Sequence, residues 1–247
     1  MMDFKSIFYP ESRFGGFSDV DGTILFYTRV NALIEPAFTI LDYGCGRGAY
    51  SEDPIPLRRN LRVFKGKVRR VIGVDVDGEG ASNPFIDEFR PLSGEGWPIE
   101  DNTIDLCVCD SVLEHLERPP EFFTEAHRVI KDKGYLCIRT TNLWGYPAWF
   151  ARLFPNKLHV QILGKVKNKV KEQDVFPTYY RCNTISALKK NLKDHQFEPV
   201  VYGFGTEPSY LSFSKLVYWF GFMHQRYSLR TLHPVIFAFA QNHKENG

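Results

Sequence analysis

Apolar side chains gather into short runs, and the stretches between them carry a helical period. Phe38, Ile40 and Leu41 read as the end of a first strand. Val71-Ile72-Gly73-Val74-Asp75 reads as a second strand ending in a carboxylate, and Arg90 to Leu92 as a short third. Ile104 to Asp110, Tyr135 to Arg139, Phe197 to Phe204 and Val235 to Ala240 supply four more. Near-continuous apolar runs of this length suit strands covered on both faces. Asp21 predicts the cap of a helix running to about Glu35, with Ile24, Tyr27, Thr28 and Ala32 as its face and Pro36 as its stop. Pro119-Pro120 opens a second helix that buries Phe122, Ala126, Val129 and Ile130. Thr184 caps a third, with Ile185, Leu188 and Leu192 inward. Between Ser82 and Pro98 the pattern is weak, and Asn83 to Phe89 predicts a short helix. Strands alternating with helices predict an α/β fold with a largely parallel sheet.

Three stretches fall outside this alternation. Residues 1–37 form an N-terminal arm whose first part is rich in Phe, Tyr and Gly. Residues 143–182 and 205–234 are too long for plain connections, which marks them as functional inserts in a single domain spanning 1–247. Both inserts are aromatic, the first with Trp144, Tyr146, Trp149, Tyr179 and Tyr180, the second with Tyr210, Phe213, Trp219 and Phe220.

The chemistry concentrates where the first strand ends. Asp42 is followed by Gly44, Gly46 and Gly48 at alternate positions. Glycine permits positive φ and lets a ligand come close to the backbone. A helix starting near Gly48 or Ala49 would aim its free N–H groups at that ligand. Gly44-x-Gly46-x-x-Ala49 formally meets the dinucleotide fingerprint, which keeps an NAD(P)-dependent oxidoreductase open as an alternative. Asp42 points elsewhere, because a carboxylate there repels a pyrophosphate and suits an α-ammonium or a sulfonium. Asp75, at the end of the second strand, is placed to bind both hydroxyls of a ribose.

Ile40-Leu-Asp-Tyr-Gly-Cys-Gly-Arg-Gly48 resembles motif I of the class I S-adenosylmethionine-dependent methyltransferases, an acidic residue followed by x-G-x-G-x-G. The block from Ile104 through Leu113-Glu114-His115 to the Thr-Thr-Asn ending at Asn142 is similar to a second conserved stretch of the same family. The resemblance covers about residues 38–142. It implies a Rossmann-like, doubly wound seven-stranded sheet in the order 3-2-1-4-5-7-6, with the last strand antiparallel. It implies S-adenosyl-L-methionine as cofactor, with Asp42, Gly44, Cys45 and Gly46 at its methionine end and Asp75 and Val76 at the ribose. Asp110 and Ser111 would lie along the cofactor through backbone groups. Ser93 stands where relatives carry an acid for the adenine, so Glu95 or backbone groups would serve, with Trp97 near the ring. That departure keeps a catalytically degenerate, methyltransferase-like binding module as a further alternative. Asp132-Lys133-Gly134 replaces Pro-Gly-Gly, which alters a turn. Some related O-methyltransferases hold a divalent metal with E-x-x-E-H; Ser111 replaces the first Glu of that spacing, so no metal is expected. His115 is a candidate general base, and His159, Tyr179 and Tyr180 are rival contacts to the acceptor.

Composition narrows the partners. The net charge of +2 gives no wide basic footprint, so nucleic acid is not expected. Five cysteines, an odd number without C-x-x-C spacing, suit reduced core thiols in a cytoplasmic protein. No apolar leader and no run of 18 apolar residues is present, so no membrane span is expected. The basic Arg58 to Lys67 stretch reads as a solvated face. Lysines between 157 and 171 alternate with Leu, Val and Ile, which suits an anionic acceptor or peripheral contact with lipid headgroups. The aromatic inserts equally suit a homodimer contact. The expected activity is methyl transfer to a small-molecule, glycan or lipid-linked acceptor, on oxygen.

Overall fold

The computed structural model describes residues 4–94, 96–148 and 177–244. Seven strands form one sheet: β1 Thr39–Tyr43, β2 Arg70–Asp75, β3 Glu88–Pro91, β4 Ile104–Asp110, β5 Ile130–Thr141, β6 Phe197–Phe204 and β7 Val235–Asn242. Their order is β3-β2-β1-β4-β5-β7-β6, as the resemblance implies. β1 through β5 are mutually parallel, and β7 runs antiparallel to both β5 and β6. β6 is therefore parallel to the first five strands. Ile40 pairs with Val71 on one side and with Leu106 on the other, so the apolar run of each central strand meets apolar runs across the ladder.

Alternate residues of each strand feed two cores, one on each face. Ile40, Val71, Leu106, Val108 and Phe237 pack beneath α2 Gly22–Leu33, whose Phe26, Tyr27 and Val30 point inward. Leu41, Ile72, Val74, Cys107 and Cys109 face the other way. There they meet Phe122, Phe123, Ala126 and Val129 of α4 Pro119–Val129, and Leu188 and Leu192 of α5 Ile185–Asp194. α1 Phe4–Phe8 and α3 Pro56–Arg62 precede these, and α6 Lys215–Tyr227 crosses the second insert. α1 rests on α6, with Phe8 5.4 Å from the rings of both Tyr218 and Phe222. All five cysteines are buried and unbridged.

Four local expectations change. The α2 face is Phe26, Tyr27 and Val30; Thr28 and Ala32 are exposed and Ile24 is half-buried. α2 is apolar almost all round, so its period does not select a face, and Phe237 and Phe239 select it by stacking on Phe26. No α-helix starts at Gly48; one 3-10 turn covers Ala49–Glu52, because Pro54 and Pro56 deny a longer helix its backbone donors. In place of the short helix, Asn83 to Asp87 turn into β3, which takes in Glu88 and Phe89. Asp132 to Gly134, expected as an altered turn, lie inside β5, with Lys133 at φ 61°.

The two readings of α2 separate in stability. Phe26→Ala should cost about 3–5 kcal/mol, the usual loss on emptying a core aromatic site. Ile24→Ala should cost about 1 kcal/mol or less, as befits a half-buried position. Urea unfolding of the two variants gives the comparison, and an equal cost would restore the face that includes Ile24.

Candidate active site

The carboxyl ends of β1, β2 and β4 meet at one edge, and the glycine loop leaves from it. Gly44 N–H and Cys45 N–H donate to Val74 O at 2.8 and 3.2 Å, which turns the loop back over β2. Gly44 has φ +75°, and a Cβ there would fall 2.3 Å from Val112 Cγ2. Gly46 has φ +48°, and a Cβ there would meet nothing within 4 Å. The first glycine is thus demanded by packing and the second faces open space, where a ligand can approach the backbone. Cys45 is buried in the core under α2.

Asp75 accepts from Gly46 N–H through Oδ2 and from Asp77 N–H through Oδ1, both at 2.9 Å. It therefore organises the loop as well as offering lone pairs toward a ligand. Val76, beside it, is 70% exposed at the same edge. Asn83 fastens the loop from the other side, donating to Cys45 O and Gly46 O at 3.0 and 3.1 Å. Sequence reasoning missed Asn83; the Asn-Pro pair signals a turn, but not the loop it would reach.

Three carboxylates converge here with different fates. Asp110 receives Arg139 in a bidentate pair, Nε to Oδ1 at 2.6 Å and Nη2 to Oδ2 at 2.7 Å, and Tyr27 OH at 2.9 Å. Burial opposes its ionisation, yet Arg139 and Arg62 hold it below the usual carboxylate range. Its side chain is thus fully engaged within the protein. Ser111 comes next at φ 62°, its N–H bonded to Arg139 O at 2.8 Å. Asp42 is different: no hydrogen bond reaches its carboxyl among the described residues. Burial, then the nearby Asp110 and Asp75, push it up to about 7. Arg62 offsets only part of this. A cationic ligand is the group that would complete this corner, which fits an α-ammonium and not a pyrophosphate.

Beside this corner lies a cavity of about 470 Å³. Its lining joins Asp21 and Thr23 at the start of α2, Arg58 and Arg62 of α3, Ser111, and Arg139, Thr140 and Thr141 at the end of β5. Tyr146 and Pro147 of the first insert and Thr206, Glu207, Ser209 and Tyr210 of the second complete the wall. The expected solvated face at Arg58 and Arg62 is therefore in part a cavity wall. Arg58 spans Asp53 Oδ1 at 2.7 Å and Asp21 Oδ2 at 3.2 Å. Arg62 sits over Tyr27 and Tyr50, 5.5 and 5.6 Å from their ring centres, and its buried Nε has no hydrogen-bond partner among the described residues. Glu114 lies beneath the cavity, accepting from Thr140 and Thr141 hydroxyls at 2.7 and 3.1 Å.

The candidate catalytic residues are spread out. His115 Nδ1 is 2.8 Å from Pro177 O, which selects the Nδ1–H tautomer for the neutral ring. Tyr179 donates its N–H to Glu114 O at 2.8 Å and lies under Arg181, 5.5 Å from its guanidinium. Neither is among the lining residues of the cavity. His159 and the lysines of 157–171 lie outside the described residues, as does Glu95. Ser93 sits in the loop after β3, and Trp97 is a core residue, buried with its ring 4.6 Å from that of Tyr43. No group of three or more metal-ligating side chains occurs among the described residues.

A parallel sheet in this order, with a glycine loop after β1 and an acidic residue closing β2, defines a nucleotide-cofactor site of the Rossmann-like type. Residues 41–138 match the methyltransferase-domain family profile. A curated S-adenosylmethionine-dependent methyltransferase of Mycolicibacterium smegmatis is 30% identical over 108 residues, covering 42% of this chain and 38% of that protein. A methyltransferase of Mycobacterium avium is 30% identical over 112 residues, 43% of this chain and 40% of that one. The match thus spans about two-fifths of the curated relatives. Among solved structures, a chain of the complex between the Haloferax volcanii Trm112 methyltransferase activator and a methyltransferase aligns with TM-score 0.55 at 14% identity, over 90% of this chain and 91% of that one. Geranyl diphosphate C-methyltransferase of Streptomyces coelicolor aligns with TM-score 0.52 at 14% identity, over 90% and 77%. Through residues 41–138 the chain is similar to the class I S-adenosylmethionine-dependent methyltransferases.

The raised Asp42 gives the cofactor site a pH signature. Its folded value lies above the unfolded one, so in the ligand-free protein this group lowers stability as pH rises from about 4 through 7. A cation favours the ionised form, so affinity should change in the opposite sense. Calorimetry should find S-adenosylhomocysteine binding weakened by up to about tenfold per pH unit below 7. Asp42→Asn should bind weakly at pH 8 and lose that slope; a retained slope would assign it to another group.

Proposed function

We propose that this protein transfers the methyl group of S-adenosylmethionine to a hydroxyl of a polar, glycan-type acceptor, free or lipid-linked. The observation that carries the reading is the cavity wall, built from hydroxyls, arginines and carboxylates with Tyr146 and Tyr210 as its aromatic surfaces. Arg58, Arg62 and Arg139 are balanced by Asp21, Asp53 and Glu207, so the wall suits a neutral polyhydroxyl compound better than a polyanion. Asp42, the Gly44 to Gly46 backbone and Asp75 would hold the cofactor, with Asp110 and Ser111 contributing backbone groups alongside. When bound, that cofactor supplies an electrophilic methyl group. The chain's own work is then to align an acceptor oxygen and exclude water. Thr140 and Thr141 at the end of β5, and Thr206 and Ser209 from the second insert, offer donors and acceptors for neighbouring hydroxyls. The part of the acceptor next to the cofactor would meet Ser111 and Arg139, which join the two sites.

S-Adenosylhomocysteine should bind and raise the unfolding temperature, whereas NAD should do neither. The reverse ranking would move the chain to the oxidoreductases. Asp75→Ala should weaken cofactor binding by about 1–3 kcal/mol, since it leaves Gly46 and Asp77 N–H groups unpaired. An unchanged dissociation constant would remove Asp75 from the site.

The acceptor wall has its own test. A screen with methyl-labelled cofactor across free sugars, glycolipids and phenols should label the polyhydroxyl compounds. With an acceptor in hand, Tyr210→Ala should raise its KM by about tenfold while S-adenosylhomocysteine affinity stays within about twofold. A matching loss of cofactor affinity would make the second insert a cofactor lid.

A further inference from the structure

α6 presents its apolar side to solvent. At about 100° per residue, Leu216, Trp219, Phe220, Met223 and Tyr227 share one stripe about 100° wide. Leu216 is 64%, Phe220 58% and Tyr227 70% exposed. The opposite side, Tyr218, Gly221 and Phe222, is the one packed on the body of the protein and on α1. Phe213 before the helix and Leu229 after it, 57% and 72% exposed, extend the stripe at both ends. Contiguous apolar exposure of this extent marks an interaction surface.

Charge identifies the occupant. Residues 208–234 contain no Asp or Glu, and they carry Lys215, Arg226 and Arg230. Lys215 and Arg226 fall on the same flank of the stripe, as a cationic rail beside the aromatic face. A second copy of the same surface would bring like charges together without a carboxylate to pair them. Trp, Tyr, Phe and Leu bordered by Lys and Arg match the boundary between acyl chains and anionic headgroups. We propose that α6 and its flanks dock this protein onto a bilayer surface carrying anionic lipid. No described helix is long and apolar enough to cross a membrane, so this is contact in the interfacial plane. The second insert also supplies Thr206 to Tyr210 of the cavity wall, so docking would bring the acceptor cavity close to the bilayer. The docking itself does not depend on which acceptor is methylated.

The full chain should co-sediment with phosphatidylcholine vesicles containing phosphatidylglycerol, remain in the supernatant with phosphatidylcholine alone, and be released by high salt. Trp219→Glu combined with Phe220→Glu should lower the partition coefficient by about tenfold or more. Both side chains point outward, so the variant should keep its unfolding midpoint; Leu216→Ser with Tyr227→Ser provides a second, uncharged pair. Brominated lipid should quench tryptophan emission of the wild type, and Trp219→Phe should lose that quenching. Failure of the wild type to pellet would overturn the proposal and leave a protein partner as occupant. Unchanged pelleting of both double variants, or unchanged quenching in Trp219→Phe, would place the contact elsewhere. A lipid-free dimer that the Glu substitutions dissolve would assign the face to a second copy.

Discussion

The ion pair between Asp110 and Arg139 is the contact on which the working edge depends. It joins the ends of β4 and β5, and through Tyr27 OH and Thr23 Oγ1 it ties both strands to α2. A charge pair this deep is stable only when its remaining donors and acceptors are used. Tyr27, Thr23 and the nearby Arg62 meet that condition, so the same network sets where α2 and α3 stand against the sheet. The floor of the cavity is thus a by-product of satisfying one partly buried carboxylate.

That contact also sorts the acidic residues by role. Asp110 has its cation within the protein and therefore offers a ligand only backbone groups. Asp75 divides its lone pairs between the glycine loop and whatever lies beyond it. Asp42 has no donor among the described residues, and its neighbours make its charge costly. A half-buried acid that its own fold compensates only in part is a stronger pointer to a cationic ligand than the glycine spacing, which serves several nucleotide families.

The central strands were legible because they are covered on both faces, so their apolar runs are nearly unbroken. β4 and β6 match their predicted spans to the residue, while the strand order came from the resemblance and not from periodicity. The α2 face was illegible, since a helix apolar on most sides exposes no preferred stripe, and only Phe237 and Phe239 across space decide it. The turn from Asp42 through the glycines, and Asp75 that fastens it, were readable because a tight loop constrains residue type locally. Arg58, Arg62 and Asn83 were not, because what gives each of them meaning is a partner in a different element. Trp97 was legible only as a large aromatic beside the loop, and its packing against Tyr43 and Phe122 is set across space.

The reversed direction of β7 has a consequence for how this scaffold can change. Phe204 and Val235 are paired neighbours at the working edge, so the segment between them begins and ends at one point of the sheet. It can be lengthened, shortened or exchanged without shifting the register of any strand. Descent with variation, or a laboratory graft, can therefore swap the second insert's share of the cavity wall and the outward helix as one cassette while the glycine loop stays untouched. Chimaeras joined at that pair are the natural unit for changing what this edge of the sheet presents.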